Sequence, residues 1–536
     1  MSNILIIIYP TQLFEFKYLN KILSFESSDS NKLKTKKYII IHEHPYFFAK
    51  YPYHKMKLVF HRATMRKYYD DLKMKLNIKI EYVCFNEKSK ISKFIKKKSI
   101  NEIRYFNPIE MELIEEIHKN KHNVKHNLIF STPYFINSKN FETNQQLLSN
   151  LTYIKHNLFY KLQRIRLNIM IEKKFNKIVP DGLKWSFDVE NRKTFIKPHV
   201  ENQQMILKNA NRKFYLLEAE KYVKLHWPNN YGILDLNNFI YPIDHIQSIK
   251  WLKFFVKNKL ENFGKYQDAL SSKIKFGYHS LLSPLINIGL ITTTDIIKEV
   301  LLAKTKMNLP SIEGFIRQII GWREYCYFTY DLYKIKLQTS DFYNFNSKSI
   351  PNKIWKCQTL IPPIDTILHN LNLNGYSHHI ERLMGIGNFL ILIGVAIPNI
   401  YDWFQTMYID AYDVFMTPNI YGMLAYGKLD ERTHMMNRPY ICGSNYLLKM
   451  SDYKSNQKIT IESIEYSWTE ILDSLYWSHI NTYAKKFKSI YATASTVNKW
   501  KKNPNQKNIL QLANKYIKWL YNNDNNENHM LKIEII

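Results

Sequence analysis

The chain has 536 residues, enough for more than one domain at a soft prior of ~150 residues each, and 45% hydrophobic residues supply a sizeable core. A net charge of +30 excludes an acidic, solvating chain and points to a polyanionic partner, with nucleic acid ahead of an anionic membrane surface. Only four cysteines occur (Cys84, Cys326, Cys357 and Cys442), with no C-x-x-C pair, which argues against a disulfide framework and suits a reducing compartment.

The opening Met1 to Pro10 lacks a basic n-region and a cleavage site, and no apolar run is long enough to span a bilayer, so a soluble intracellular protein, not membrane-bound, is expected. Apolar runs at Ile4–Tyr9, Lys37–His42, Ile78–Phe85, Ile103–Phe106 and Asn127–Ser131 predict buried strands. Amphipathic patterns at Leu58–Leu76 and Glu110–Lys119 predict helices between them. This alternation implies an α/β domain over 1–135 with a mostly parallel, Rossmann-like sheet. No G-x-G-x-x-G is present, so a standard dinucleotide fingerprint is missing.

Residues 136–240 are polar and mixed, with Trp185 to Lys193 between Pro180 and Pro198, and read as an inter-domain connection. From 241 to 536 the spacing turns helical, in Ile249–Leu260, Leu281–Leu290, Thr293–Lys304, Ile312–Asp331 and from Ile364–Leu371 onward. This part is expected to be an all-α domain. The polar tract from Asn522 to Asn528 is expected to fray.

Four blocks carry chemistry. Ser280 and Ser283 lie around Pro284 in Phe-Gly-Tyr-His-Ser-Leu-Leu-Ser-Pro, where hydroxyls and free N–H groups at a helix start make an anion site or an ordinary cap. Glu313 to Tyr325 reads Glu-Gly-Phe-Ile-Arg-Gln-Ile-Ile-Gly-Trp-Arg-Glu-Tyr; by itself it is a helix with an Arg–Glu surface pair. Ser377 to Asp410 joins His378, His379, Arg382, Trp403 and Asp410 along two helices broken at Pro398: proton donors, a cation, an electron donor and an anion, a set that can surround a redox group. Downstream lies Arg438 to Tyr446, Arg-Pro-Tyr-Ile-Cys-Gly-Ser-Asn-Tyr.

Together these blocks resemble the cryptochrome/photolyase superfamily, and within it the bacterial iron–sulfur (6-4) photolyase branch. The resemblance is dense from about 263 to 450, moderate from 1 to 135 and at 185–193, and thin after 455. It implies a helical FAD-binding and DNA-lesion catalytic domain at 241–536, an antenna-chromophore domain at 1–135, and light-driven repair of UV pyrimidine photoproducts in damaged DNA by a monomer. By the same resemblance Tyr278, His279, Ser280, Leu281, Leu282, Ser283, Glu313, Gln318, Trp322, Arg323, Tyr325, Arg382, Asp410 and Met416 would bind FAD. His379 would donate a proton with His378 as its partner, and Tyr440 and Tyr446 would wall the lesion. Trp403 and Trp355 would keep the flavin reduced, with Phe404 where the branch often has a tyrosine.

Met416 falls where a polar side chain usually faces flavin N5. Gln12 and Glu43 would hold a 6,7-dimethyl-8-ribityllumazine antenna, beside His54, Lys55, Arg66, Tyr68 and Tyr69 on the same surface. The branch's four cluster cysteines are replaced: Pro363, Lys454 and Gln457 stand at matching positions and no Cys follows Cys442, so no iron–sulfur cluster is expected and no other metal site is expected. Tyr453, Ile459, Ile461, Ile464, Tyr466 and Trp468 would then hold 451–474 by packing. A blue-light cryptochrome photoreceptor on the same scaffold is the alternative, and a non-flavin nucleic-acid-binding protein a second.

Overall fold

The computed structural model describes residues 3–25, 35–119, 124–136, 155–174, 176–195, 205, 207, 210–344 and 348–522; Pro198 and residues 523–528 of the polar tail lie outside them. The run Asn-Ile-Leu-Ile-Ile-Ile has no polar alternation because both faces of its strand are covered. It forms β1 (Asn3–Ile8), the centre of a five-stranded parallel sheet. With β2 (Lys36–His42), β3 (Lys79–Val83), β4 (Glu102–Phe106) and β5 (His126–Phe130), the order is β3-β2-β1-β4-β5. Ile8 stands opposite Ile41 in this register, and both are fully buried.

Helices Lys55–Lys75 and Met111–Lys119 lie where periodicity placed them. Two nine-residue helices, Phe16–Ser24 and Ser89–Lys97, escaped it because only three residues of each are buried. The rest is mostly helical, so the chain is an α/β region followed by a helical one. No helix among the described residues is long and apolar enough to cross a membrane.

Two expected helices differ in detail. Leu281–Leu290 shrinks to Ser283–Asn287, because Pro284 opens the helix and Gly289 turns out of it at φ +85°, with Phe14 packed where a Cβ would stand. Ile312–Asp331 exists but is not uniform: Leu309–Ile316 is α, Arg317–Arg323 is π and Glu324–Thr339 is α again. Two more π segments follow, Glu381–Gly387 and Thr417–Leu424. Such turns are rare and concentrate at functional sites. Glu324, expected on the surface, is fully buried and accepts the Ile136 N–H at 3.0 Å.

The sheet region and the helical region are stitched by buried polar groups on one helix. His54 caps Lys55–Lys75 through Nδ1, which accepts the Met56 N–H at 3.1 Å, while Nε2 sits 3.0 Å from the Asn372 carbonyl. Burial lowers its pKa to about 4, so it works as a neutral bridge. Gly232, at φ +84°, backs onto this ring so closely that a Cβ would overlap it. Lys57, one turn on, donates to the Gln405 and Ala411 carbonyls at 3.2 and 2.8 Å. His54 and Tyr68 are buried rather than part of an exposed face.

The segment after Met450 is pinned by Trp468, which is fully buried at the start of the helix Trp468–Thr482. Its Nε1 donates to the Lys454 carbonyl at 2.9 Å and its N–H to the Gln457 carbonyl at 3.4 Å. Ser467 and Glu470 close a capping box on the same helix. Ile461 joins the core, but Ile464 faces solvent at 49% exposure because it leads out of the tight Glu462-Ser463 turn. Trp468→Ala should lower stability by about 3–5 kcal/mol, read as a fall in the chemical-denaturation midpoint; an unchanged midpoint would remove Trp468 as the pin.

Candidate functional site

A cavity of about 940 Å³ opens between the π segments, Ser283–Asn287 and the stretch from Arg438 to Tyr446. That lies in the range of sites that bury a cofactor-sized ligand, ~300–1,000 Å³. Of the residues expected to act there, His279, Ser280, Leu282, Ser283, Gln318, Trp322, Arg323, His379, Arg382, Asp410, Met416, Tyr440 and Tyr446 line it.

Its centre is an ion pair. Arg382 Nη1 lies 2.9 Å from Asp410 Oδ1, and Nη2 donates to Oδ2 at 3.0 Å. Arg382 Nε donates to the Ser377 carbonyl at 2.7 Å, and the guanidinium lies over Tyr408 at 4.2 Å. Ser283 Oγ donates to Asp410 Oδ2 at 2.6 Å, so this hydroxyl serves the carboxylate rather than capping its helix. Asn287, one turn further, donates to the Asp410 carbonyl at 2.9 Å and accepts from Arg323 Nη1 at 2.5 Å. Arg323 is sandwiched by Tyr134, Phe135 and Phe415 at 4.6 to 4.9 Å. Its Nε and Nη2 are buried without a hydrogen-bond partner. A buried donor left open at a cavity wall is costly unless a ligand's acceptor meets it.

A second group is three imidazoles. His279 and His378 stack with centroids 4.5 Å apart and planes 8° from parallel. His279 Nε2 and His378 Nδ1 are both buried and unpartnered. Burial, then the neighbouring imidazoles, push both well below the ordinary range, so both rings are neutral at pH 7. His379 is exposed, lines the cavity and places Nε2 3.1 Å from Asp268 Oδ1. His378 does not itself line the cavity.

Other expectations are displaced. Glu313 is fully buried, accepting the Phe187 N–H at 3.0 Å and Arg317 Nε at 3.2 Å, so its carboxylate is consumed inside the protein. Tyr325 packs against His156 and Phe159, Tyr278 stacks on Tyr266, and Leu281 is buried at φ +53°; none of the four lines the cavity. Trp403 is 2% exposed and 6.2 Å from Trp355 between ring centroids, while Phe404 lines the cavity beside it.

Several lining residues had not been singled out. Asn287 repeats Ser283 at i+4, a signal present in the sequence. Asp268 and Asn419 have no such local signal. The supposed connection contributes wall: Trp185, Asp188 and Arg192 line the cavity, as does His156, whose ring stacks on Trp322 at 3.7 Å. Burial lowers the His156 pKa to about 3.

Gln12 and Glu43 are buried and committed. Gln12 accepts the Tyr9 N–H and donates to the Phe106 carbonyl. Glu43 accepts from Arg62, Tyr82, Tyr222 and the Phe85 N–H, two donors on each oxygen. Neither carboxylate oxygen has capacity left for a ring. Arg66 lies over Tyr69 and Tyr82. The four cysteines are free thiols. Cys326 and Cys357 take amide contacts from Asn419 and Asn372, and Cys442 pairs its backbone with Asn388.

Comparison with known proteins bears on this geometry. Residues 18–239 match the family model described as deoxyribodipyrimidine photo-lyase-related protein. A (6-4) photolyase of Agrobacterium fabrum is 30% identical over 351 residues, 64% of this chain and 65% of that protein. The solved structure of a bacterial class III photolyase from Agrobacterium tumefaciens aligns with TM-score 0.53 at 13% identity, covering 84% of this chain and 86% of that one. A Synechocystis sp. PCC6803 cryptochrome aligns with TM-score 0.53 at 13% identity, covering 96% and 94%. The chain is thus similar to proteins of the cryptochrome/photolyase superfamily and shares the fold of its solved members. It spans 65% of the length of the (6-4) photolyase it matches.

One group beside the cavity sets a pH dependence. Glu381 accepts the His378 N–H at 2.9 Å, and burial raises its carboxyl from 4.5 to about 8. A raised acid favours folding in its protonated form. That contribution is complete below the unfolded pKa of 4.5 and is lost as pH rises through about 8. Glu381→Gln should therefore gain stability relative to the native chain as pH rises across that window, with urea midpoints diverging from acid to mildly alkaline buffer. Parallel profiles would show that the carboxyl is not held protonated.

Proposed function

We propose that this chain is a light-driven DNA repair flavoprotein of the (6-4) photolyase type, with its cofactor and lesion in the helical part after residue 240. The observation that supports it most is the meeting in one cavity of the Arg382–Asp410 pair, the open Arg323 guanidinium and the His379–Asp268 contact. FAD in that cavity would supply, on excitation in its reduced form, the electron that opens a UV pyrimidine photoproduct. The residues fit it: Arg323 sets a fixed cation at the wall, where Ser280 also lies, a charge suited to phosphate or ring oxygens. Arg382 and Asp410 hold a fixed cation and anion at the polar edge of a bound ring.

The chain's own groups then divide the work. Tyr440, Tyr446 and Trp322 give aromatic walls for a base turned out of its duplex. His379 Nε2 is held by Asp268, which orients the imidazole to give a proton at the cavity face and take it back. His378 stays neutral behind it and keeps a second cation out of the stack. Trp403 and Trp355 carry electrons inward. The net charge of +30 binds duplex phosphates, so affinity should fall steeply with salt. Glu43, with two donors on each oxygen, has no acceptor capacity left for a lumazine antenna in this conformation. A photoreceptor role on the same scaffold has one point in its favour, since the apolar Phe404 and Met416 both face the cavity.

The purified protein should show flavin absorption bands and restore (6-4) photoproducts in an oligonucleotide under blue light. His379→Ala should keep the bands and lose repair by about 10²–10⁴-fold. Flavin without repair in the native protein would favour the photoreceptor, and full repair by the variant would overturn the proton assignment.

A further inference from the structure

We propose that Tyr231 is the surface terminus of the electron path that runs inward through Trp355 and Trp403; this rests on the reading that the cavity holds a flavin. The Tyr231 and Trp355 rings stack with centroids 4.0 Å apart and planes 16° from parallel, closer than the 6.2 Å between Trp355 and Trp403. Exposure rises outward along the row, from a buried Trp403 to a half-buried Trp355 and a half-buried Tyr231. The row thus runs from Trp403, next to the cavity-lining Phe404, out to the half-buried Tyr231.

Tyr231 is held there by its loop. Its carbonyl accepts the Lys55 N–H at 2.9 Å, Asn230 Nδ2 donates to the Tyr53 carbonyl at 2.9 Å, and Ile233 N–H donates to the Asn372 carbonyl at 2.8 Å. Gly232, packed on His54, admits no side chain between these bonds. Three anchors within four residues fix the ring parallel to the indole, one of the two arrangements that aromatic pairs favour.

The chemistry favours a phenol at this end. One electron leaves Trp403 for a light-excited oxidised flavin, Trp355 refills Trp403, and Tyr231 refills Trp355. Tyr231 then releases its phenolic proton to water and becomes a neutral radical, and a solution thiol returns one electron and one proton to it. Loss of the proton traps the hole far from the cavity, because return now requires reprotonation. Tyr408 also lies near Trp403, at 6.0 Å, but it is fully buried with the Arg382 cation 4.2 Å from its ring, a field that disfavours a hole there.

Tyr231→Phe keeps the ring and the stack but removes the oxidisable phenol. Flash absorption and electron paramagnetic resonance on the flavin-loaded protein should show a tyrosyl radical in the native chain. In the variant that signal should be lost, replaced by a shorter-lived tryptophanyl radical, with flavin content and repair by chemically reduced protein unchanged. Trp355→Phe should lose the tyrosyl signal as well. A tyrosyl radical that persists in Tyr231→Phe overturns the assignment alone. A native protein that binds no flavin gives no light-induced radical in any chain, and overturns the cofactor reading together with it.

Discussion

A guanidinium keeps its proton at any physiological pH, so placing Arg382 at the heart of a helical region obliges the fold to deliver a carboxylate and to saturate it. Most of the architecture around the cavity answers that demand. Asp410 arrives after the helix Ile397–Met407, and its oxygens are met by Ser283 and Arg382 while its carbonyl is met by Asn287. Asn287 in turn orients Arg323. From the other side, Lys57 of the sheet region reaches the carbonyl next to Asp410. Elements far apart in sequence converge on one charge, which explains how a cavity this large keeps a defined wall.

The same chain of bonds separates two kinds of cationic environment. Arg382 and Arg323 are fixed charges under aromatic rings, whereas His279 and His378, a few residues away, are denied charge by burial. Only His379 stands in the open with an acid beside it. The stitched contact of His54, Gly232 and the Asn372 carbonyl plays a comparable part between the sheet and the helices, using a neutral ring where a charged one would have needed its own partner.

Much of this was legible in the sequence. Uninterrupted isoleucine runs announced the parallel sheet, and the Ser-Pro turn, the Trp-Arg-Glu-Tyr block and the His-His-x-x-Arg block named Ser283, Trp322, Arg323, His379 and Arg382 of the cavity wall. What escaped were features that depend on pairing across the chain. Glu313 and Tyr325 belong to the right segment but turn away, because Arg317 and the backbone of Phe187 claim one and His156 the other. Glu43 looked free to bind a ring, yet Arg62, Tyr82 and Tyr222 reach it from three separate elements. Asp268 carries no local sign of its meeting with His379, and His156 and Trp185 lay in a stretch whose composition suggested only a connection. Side-chain direction along a helix follows from its pitch, and nothing in the residue pattern announced that the pitch changes three times.

That change of pitch has a consequence of its own. Arg317–Arg323, Glu381–Gly387 and Thr417–Leu424 each take in one more residue per turn than their flanks, and each carries cavity residues: Trp322 and Arg323, Arg382, and Asn419. A widened turn seats an extra residue without turning its flanks. Excising a single residue from one of them would let that turn relax to ordinary winding with the rest of the helix still in phase. Only the side chains that the widened turn presents to the cavity would be withdrawn, so a deletion there would spare the packing of the helix and strip the wall.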